Sequence, residues 1–244
     1  MAMDFLSIRN KNANSADIYF YGDIVSDSWG KWTDEDKCPQ DIIDMLKDCE
    51  NVNELNIYIN SGGGSVWGGV AMYNILKRHK AKKIVHIDGL AASIASVIAL
   101  AGDEIIMPSN SFMMIHKAIC SAYGNSDDLR DVAEQLETIE QSIVNIYMEN
   151  VTDGNNESHI KELMTAETWL NASDAAELFK NITVTEGLDA VACLSSCKYT
   201  KMPNGISFKN SVPEKKVNEI TEKAKKTLEN LKNFIFLEEE KTHE

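Results

Sequence analysis

The sequence predicts an α/β fold with a mostly parallel central sheet. Short apolar strands alternate with amphipathic helices over most of the chain, an order typical of parallel sheets covered by helices. A triple-glycine turn joins one predicted strand to the next helix, and a run of small residues leads from another strand into a short buried helix. At 244 residues the chain is long enough for one sizeable core, or for one domain with an appendage.

Composition and charge exclude several classes of function. The net charge of −14 argues against a nucleic-acid partner, because a surface that follows phosphates needs clustered lysine and arginine. The longest apolar stretch, residues 94–101, is shorter than a membrane span, and the polar N-terminus has no hydrophobic signal core. The five cysteines are scattered and complete no zinc-binding pattern. We therefore expect a cytoplasmic protein with reduced cysteines, no metal site and no membrane segment.

The first part of the predicted sheet follows from alternating apolar runs. Residues 1–16 lack periodicity and are expected to be loose. Strands are predicted at 17–25, 55–60, 83–88, 104–107 and 112–116. Helices are predicted at 39–48, 66–77 and 93–101, and the first of them begins at Pro39. Residues 26–36 are predicted as a polar loop and residues 89–92 as a turn.

The rest of the chain is predicted to be largely helical. A long helix at 126–151 has apolar residues at intervals of three and four, and Asp127 and Asp128 suit its positive N-terminal end. A helix at 156–164, a turn and helix at 170–180 and a strand at 188–194 complete a domain that spans 17–198. Residues 199–244 are predicted as a linker and an amphipathic helix outside the main core.

Three segments contain the parts that a serine hydrolase needs, namely an oxyanion hole, a nucleophile and a base. They are INSGGGS at 59–65, GLAASIAS at 89–96 and MMIH at 113–116. The glycines allow positive φ and close approach of a backbone N–H to a ligand. They also fit a tight turn, or a phosphate-binding loop that lacks the usual Gly-Lys-Ser/Thr ending.

The two side chains that suit catalysis also have structural interpretations. Ser93 stands at a helix start, where the N–H of Ile94 would face developing negative charge, although a serine there more often caps the helix. His116 ends an apolar strand, where an isolated histidine is more often a core residue than a base. A carboxylate that orients the base is expected at Glu167 or, less well placed, at Asp174; its structural alternative is a solvated acid.

The order of four motifs resembles that of the Clp protease proteolytic subunit (ClpP) family. The motifs are YINSGGG at 58–64, GLAAS at 89–93, MIH at 114–116 and ETWLNA at 167–172. The resemblance covers about residues 17–194 and implies a crotonase-like superhelix of repeated ββα units, with the long helix as a handle that pairs subunits. Gly62 stands where the family usually has proline, and Glu167 stands where it usually has aspartate.

The resemblance implies a role for each site residue. Ser93 is the implied nucleophile, His116 the base and Glu167 the acid, while the amides of Gly64 and Ile94 form the oxyanion hole. The residues expected to bind extended substrate are Gly63 and, in a strand over 121–125 before the handle, Ser121, Ala122, Tyr123 and Gly124. The family also implies polypeptide substrates, a homo-oligomer built as a heptameric ring or double ring, a Clp ATPase partner and no cofactor.

Within the family, the Glu-Thr-Trp-Leu form resembles the phage and prophage head maturation proteases, which cut scaffold and capsid proteins. Three rival interpretations stay open from the sequence. One is another crotonase-fold activity such as an enoyl-CoA hydratase, which needs no serine at position 93. Another is a signal peptide peptidase A-type enzyme with a Ser/Lys dyad, for which Lys82 and Lys117 are available. The third is a catalytically silent oligomer that binds scaffold protein.

Overall fold

The computed structural model describes residues 14–187 and confirms the α/β class with a mostly parallel sheet. The strands are β1 (Ser15–Tyr21), β2 (Glu54–Ser61), β3 (Lys82–Ala92), β4 (Glu104–Pro108), β5 (Phe112–Ile115), β6 (Thr168–Asn171) and β7 (Ile182–Thr185). The helices are α1 (Pro39–Asp48), α2 (Val66–Arg78), α3 (Ile94–Ala99), α4 (Ser126–Asn150), α5 (Glu157–Thr165) and α6 (Ala172–Leu178). The strand predicted at 188–194 and the C-terminal helix lie outside the described residues, as do residues 1–13 of the segment predicted to be loose at 1–16. The end of that segment is not loose, because Ser15 and Ala16 already belong to β1 and Ala16 is buried.

The sheet has a branch at β3. Its main path runs β1-β2-β3-β4-β7, and β5 pairs with β3 on one side and with β6 on the other. Within residues 14–187 every pair of strands is parallel except β5–β6, which is antiparallel. The first half of β3 pairs with β4 at Ile84–His86, and its end pairs with β5 at Leu90–Ala92. The strand β3 therefore pairs with β4 along its first half and with β5 at its end.

This branch corrects the prediction of a turn at 89–92. These residues are the last part of β3, and Leu90, Ala91 and Ala92 are all buried. Small residues have little intrinsic preference for strands, but pairing with β5 holds this segment extended. The predicted helix after it is shorter than expected and covers only Ile94–Ala99.

One face of the sheet forms the core. Ile57, Ile59, Val85 and Ile87 alternate along β2 and β3 and are completely buried in one apolar cluster, which also contains Met72 from α2. On the opposite face, side chains from three neighbouring strands stack in a row. The rings of Tyr19 and Tyr58 are 4.7 Å apart and those of Tyr58 and His86 are 4.6 Å apart. The apolar alternation predicted from the sequence thus identifies the buried face correctly.

Two short strands were not predicted, and one predicted strand is absent. β6 and β7 have only four residues each, too few to show a period. Conversely, the prediction of a strand at 121–125 is wrong for the described chain. That segment is irregular and fully exposed, and no described strand pairs with it. A strand needs a neighbour to accept and donate its backbone hydrogen bonds, and the single chain supplies none here.

The polar loop between β1 and α1 is held by a buried carboxylate. Asp36 is only 2% exposed and accepts backbone N–H groups from Asp23 at 3.0 Å, Trp32 at 2.8 Å and Thr33 at 2.9 Å. The backbone of Lys37 closes the base of the loop, because its N–H donates to Asp23 and its carbonyl accepts from Val25. These hydrogen bonds hold the loop in one conformation and therefore fix the position of Trp32.

We predict that Asp36→Ala lowers the free energy of unfolding by about 3 kcal/mol, because three N–H groups near the protein interior lose their acceptor. Urea unfolding measures this as a lower midpoint with an unchanged slope. Asp36→Asn keeps the size and one acceptor oxygen, so we expect an intermediate loss. A loss below about 0.5 kcal/mol for the alanine variant, the range of ordinary surface substitutions, would contradict this account of the loop.

Candidate active site

The ends of three adjacent strands bring together the three predicted catalytic side chains. β3 and β5 run in parallel and end side by side, so Ser93 after β3 lies near His116 after β5. β6 runs the other way, with Thr168 opposite Ile115, so its first residues lie beside the end of β5. Glu167, which directly precedes β6, therefore reaches the same edge of the sheet. Strand register alone gathers residues that are 74 positions apart in the sequence (167 − 93).

Ser93 has an unusual backbone conformation, and its hydroxyl is hydrogen-bonded to a histidine. Its φ of 56° and ψ of −128° are rare for a residue with a side chain. Its N–H donates to the carbonyl of Met114 at 2.8 Å, which ties the turn to β5. Its hydroxyl makes no helix cap; instead Oγ lies 2.7 Å from Nε2 of His116. The capping alternative for this serine therefore does not apply.

Burial and the charge of Glu167 shift the pKa of His116 in opposite directions. Burial, the larger effect, lowers the pKa of His116, because the charged imidazolium loses hydration; the negative charge of Glu167 raises it. The result is a pKa below the ordinary histidine value, so the ring is neutral and able to accept a proton at neutral pH. Asp174, the alternative acid, instead accepts a hydrogen bond from the side chain of Asn171 at the start of α6.

Glu167 also has a left-handed backbone, with a φ of 51°. Its N–H donates to the carbonyl of Met164 at 3.2 Å, at the end of α5. This turn ends the helix and starts β6, and it leaves the carboxylate half-buried. Two of the three non-glycine residues with positive φ in the described chain are thus Ser93 and Glu167. Such conformations persist only where surrounding contacts hold them, and they cluster at functional sites.

The glycine turn lies directly beside the serine. Gly63 and Gly64 have φ values of 93° and 139°, and a Cβ on Gly63 would lie 2.8 Å from Cβ of Ser93. The segment forms a parallel bridge to Ile24, which uses the carbonyl of Gly63 at 2.8 Å and the N–H of Ser65 at 2.7 Å. In such a bridge the N–H of the central residue, Gly64, points to the opposite side.

The second predicted oxyanion donor is the first amide of α3. Ile94 follows Ser93 directly, and an N–H at this position has no acceptor within its own helix. A Cβ on Gly63 would lie 3.2 Å from this nitrogen, so the glycine turn and the helix start approach closely. The glycine turn and the start of α3 therefore lie together beside Ser93, and the amides of Gly64 and Ile94 stay the predicted oxyanion donors.

An open cleft of about 430 Å³ lies in front of Ser93. Gly63 and Gly64 form one part of it, and Val25, Trp32, Val66 and Ile119 give it apolar walls. Of the predicted substrate-binding residues, Gly63 lines the cleft. The other four, Ser121, Ala122, Tyr123 and Gly124, are exposed and lie beyond Ile119, the last residue of that segment to line it.

The rival sites receive less support from the geometry. Lys117 pairs with Glu140 of α4 at 3.2 Å and Lys82 pairs with Glu104 at 2.8 Å, so neither lysine takes the place of His116 beside Ser93. No group of three metal-ligating side chains occurs in residues 14–187. Over the same residues, no helix combines the length and the apolar character that crossing a bilayer requires.

Sequence reasoning missed two contributors to the site. The loop containing Trp32 forms a wall of the cleft, and the sequence marked it only as polar. Ser96 and Tyr147 form a buried hydrogen bond behind the serine. The apolar stripe predicted along the long helix runs through Ile143 and Ile146 and does not include Tyr147, and nothing local indicates that the Tyr147 hydroxyl meets Ser96.

Comparison with known proteins relates most of the described chain to one family. Residues 33–179 match the family model described as Clp protease. The chain is 35% identical over 107 residues to an ATP-dependent Clp protease proteolytic subunit of Deinococcus radiodurans, and 26% identical over 163 residues to one of Bacteroides fragilis. A third such subunit, from Chlorella vulgaris, is 32% identical over 126 residues.

These matches cover only part of each protein. They span 42%, 66% and 50% of this chain for the Deinococcus, Bacteroides and Chlorella relatives respectively. They span 52%, 74% and 61% of the relatives themselves. The chain therefore matches between about half and three quarters of the length of these relatives.

We predict that the rate at which a fluorophosphonate labels Ser93 rises with pH, with a midpoint below about 6.5, the ordinary histidine pKa. Protonated His116 cannot accept the serine proton, and burial keeps its pKa low. Glu167→Gln removes the charge that raises this pKa, so the midpoint moves to still lower pH, and the plateau rate falls. Glu162→Gln, at an exposed acid of α5, is the matched control. A midpoint that stays or rises in Glu167→Gln would contradict this role.

Proposed function

The chain belongs to the Clp protease family, and from this premise we propose that it is a serine endopeptidase. One observation supports the proposal above all others. His116 Nε2 lies 2.7 Å from Ser93 Oγ at a turn with positive φ. A histidine at this distance can take the hydroxyl proton, and the turn exposes the oxygen to a carbonyl carbon in the cleft.

The proposed reaction uses only side chains and amides of this chain and needs no cofactor. His116 accepts the proton of Ser93 as Oγ attacks the peptide carbonyl carbon. The oxygen of the tetrahedral intermediate then accepts hydrogen bonds from the N–H groups of Gly64 and Ile94. Glu167 orients and stabilises the imidazolium, which gives its proton to the leaving amine. Water, activated by the same histidine, then hydrolyses the acyl-enzyme.

The cleft favours an extended peptide with an apolar side chain near the bond that is cut. Val25, Trp32 and Ile119 give apolar surface beside Ser93, and Trp32 is 85% exposed and thus able to cover a substrate side chain. Gly63 and the segment from Ser121 to Gly124 are proposed to bind the peptide backbone as a neighbouring strand. That segment has exposed backbone and no partner strand among residues 14–187.

The long helix α4 is proposed to pair subunits of a homo-oligomer, built as a heptameric ring or double ring. Its second half is held in the core by Ile143, Val144 and Tyr147, whereas its first half is largely exposed. Leu129 is 46% exposed, and Val132 and Leu136 continue its apolar stripe at helical spacing. An apolar stripe on an exposed half-helix is the type of surface that a second subunit covers.

Two cellular roles fit the proposed activity. The names of the relatives support a proteolytic subunit that works with a Clp ATPase. The Glu-Thr-Trp-Leu form beginning at Glu167 supports a prophage head maturation protease that cuts scaffold and capsid proteins. We propose the second role and place the protein in the cytoplasm, where the free thiols of Cys38, Cys49 and Cys120 would stay reduced. If the purified protein cleaves a folded scaffold protein without ATP, the result favours the head maturation role over the role as a partner of a Clp ATPase.

Labelling with a serine-reactive fluorophosphonate, followed by peptide mapping, tests the proposed activity. We expect the adduct on Ser93, no adduct in Ser93→Ala, and at least a hundredfold slower labelling in His116→Ala, as loss of a general base typically costs about that much or more. Ser158→Ala and His159→Ala change exposed residues of α5 and serve as controls with normal labelling. A folded wild-type protein with no adduct on Ser93 would favour the catalytically silent alternative.

Sedimentation tests the proposed assembly. We expect wild-type protein to sediment as a particle of seven or more 27.2 kDa chains. Leu129→Glu places a charge in the proposed subunit contact and shifts the distribution to smaller species, whereas Thr138→Glu, on the opposite side of α4, leaves it unchanged. Wild-type protein that sediments as a monomer at micromolar concentration would contradict the assembly.

A further inference from the structure

A chain of two hydrogen bonds connects the handle helix α4 to the backbone of the nucleophile. The hydroxyl of Tyr147 lies 2.8 Å from Oγ of Ser96, and Oγ of Ser96 lies 2.6 Å from the carbonyl oxygen of Ser93. Tyr147 is 1% exposed and Ser96 is completely buried. Both side chains are thus shielded from bulk solvent, and each hydroxyl has a hydrogen-bond partner within the protein.

The direction of the protons in this chain is fixed. The carbonyl of Ser93 can only accept, so the single hydroxyl proton of Ser96 is donated to it. Oγ of Ser96 is then an acceptor for the hydroxyl of Tyr147, which donates. Complete burial raises the pKa of Tyr147, so the phenol keeps its proton throughout the pH range in which a serine hydrolase works.

The carbonyl of Ser93 belongs to the same peptide unit as the N–H of Ile94. A trans peptide is planar, and its C=O and N–H point in opposite directions. Whatever holds this carbonyl therefore also aims the N–H of Ile94, the proposed oxyanion donor. The Ser93 carbonyl receives a second hydrogen bond, from the N–H of Ser96 at 3.0 Å. On the other side of Ser93, the N–H is fixed by Met114 at 2.8 Å.

We propose that Ser96 and Tyr147 are positioning residues that hold the Ser93–Ile94 peptide plane and thereby aim the oxyanion donor. The inference rests on the proposed peptidase function. Ser93 has the strained φ of 56°, and the peptide plane that follows it would turn if its carbonyl lost the buried donor. Neither side chain contacts the reacting atoms in this account. They act through the backbone of the nucleophile.

The test uses Ser96→Ala, Tyr147→Phe and the double variant in the full-length protein, with kcat and KM measured on a peptide substrate. Removing one oxyanion donor typically costs a hundredfold or more, so we expect a misaimed donor to lower kcat by about tenfold in each single variant. KM should change by less than about twofold, because the donor acts mainly on the transition state. Since Tyr147 acts through Ser96, the double variant should lose no more than Ser96→Ala alone.

A matched control separates positioning from packing. Tyr73 on α2 is 4% exposed, and its hydroxyl lies 3.5 Å from Glu149 of α4. Tyr73→Phe therefore removes a part-buried tyrosine hydroxyl next to the same helix without touching Ser96, and we expect its kcat to equal that of wild type. Melting temperatures of all variants, with assays well below them, show whether a loss of rate comes from unfolding.

Several outcomes overturn the inference. Wild-type kcat in a folded Tyr147→Phe would do so, as would a double variant whose loss is the product of the two single losses. If Tyr147→Phe does not fold, Ser96→Ala, which removes only one oxygen atom, decides alone: unchanged kcat overturns the inference. Failure of the proposed function looks different, because wild-type protein would then neither hydrolyse peptide nor form an adduct on Ser93.

Discussion

The candidate site depends on the branch in β3, a strand that pairs with β4 along its first half and with β5 at its end. Because β3 changes its partner strand from β4 to β5, the end of β3 lies beside the end of β5. Ser93, which follows β3, is therefore within hydrogen-bond distance of His116, which follows β5. The antiparallel step to β6 then adds Glu167 at the same edge. If β3 paired with β4 throughout, Ser93 and His116 would lie on separate parts of the molecule.

Backbone contacts fix the residues of the site at this edge. Ser93 is held through its N–H by β5 and through its carbonyl by α3 and α4. The glycine turn is held by Ile24, and a Cβ on Gly64 would lie 2.1 Å from the carbonyl oxygen of Ile24, a distance no side chain can accept. Preorganised amides of this type need no rearrangement as negative charge develops, which is why they are effective in catalysis.

Much of the arrangement follows from the sequence, and the rest has identifiable physical reasons. Apolar alternation predicts the strands that form the core, and the glycines, Ser93 and His116 stand out because their residue types are unusual in their places. The sequence predicts a turn at the end of β3, because small residues have no strand preference. This segment forms a strand only because it pairs with β5. The bond between Ser96 and Tyr147 joins residues 51 positions apart, so no local pattern contains it.

The most direct test of the account is a crystal structure of the protein with a phosphonate attached to Ser93. Such an adduct places a negatively charged oxygen where the tetrahedral intermediate would carry one. The account predicts that this oxygen lies within about 3 Å of the N–H groups of both Gly64 and Ile94, with His116 between Ser93 and Glu167. A phosphonate on another residue, or an oxygen that points to solvent away from both amides, would contradict it.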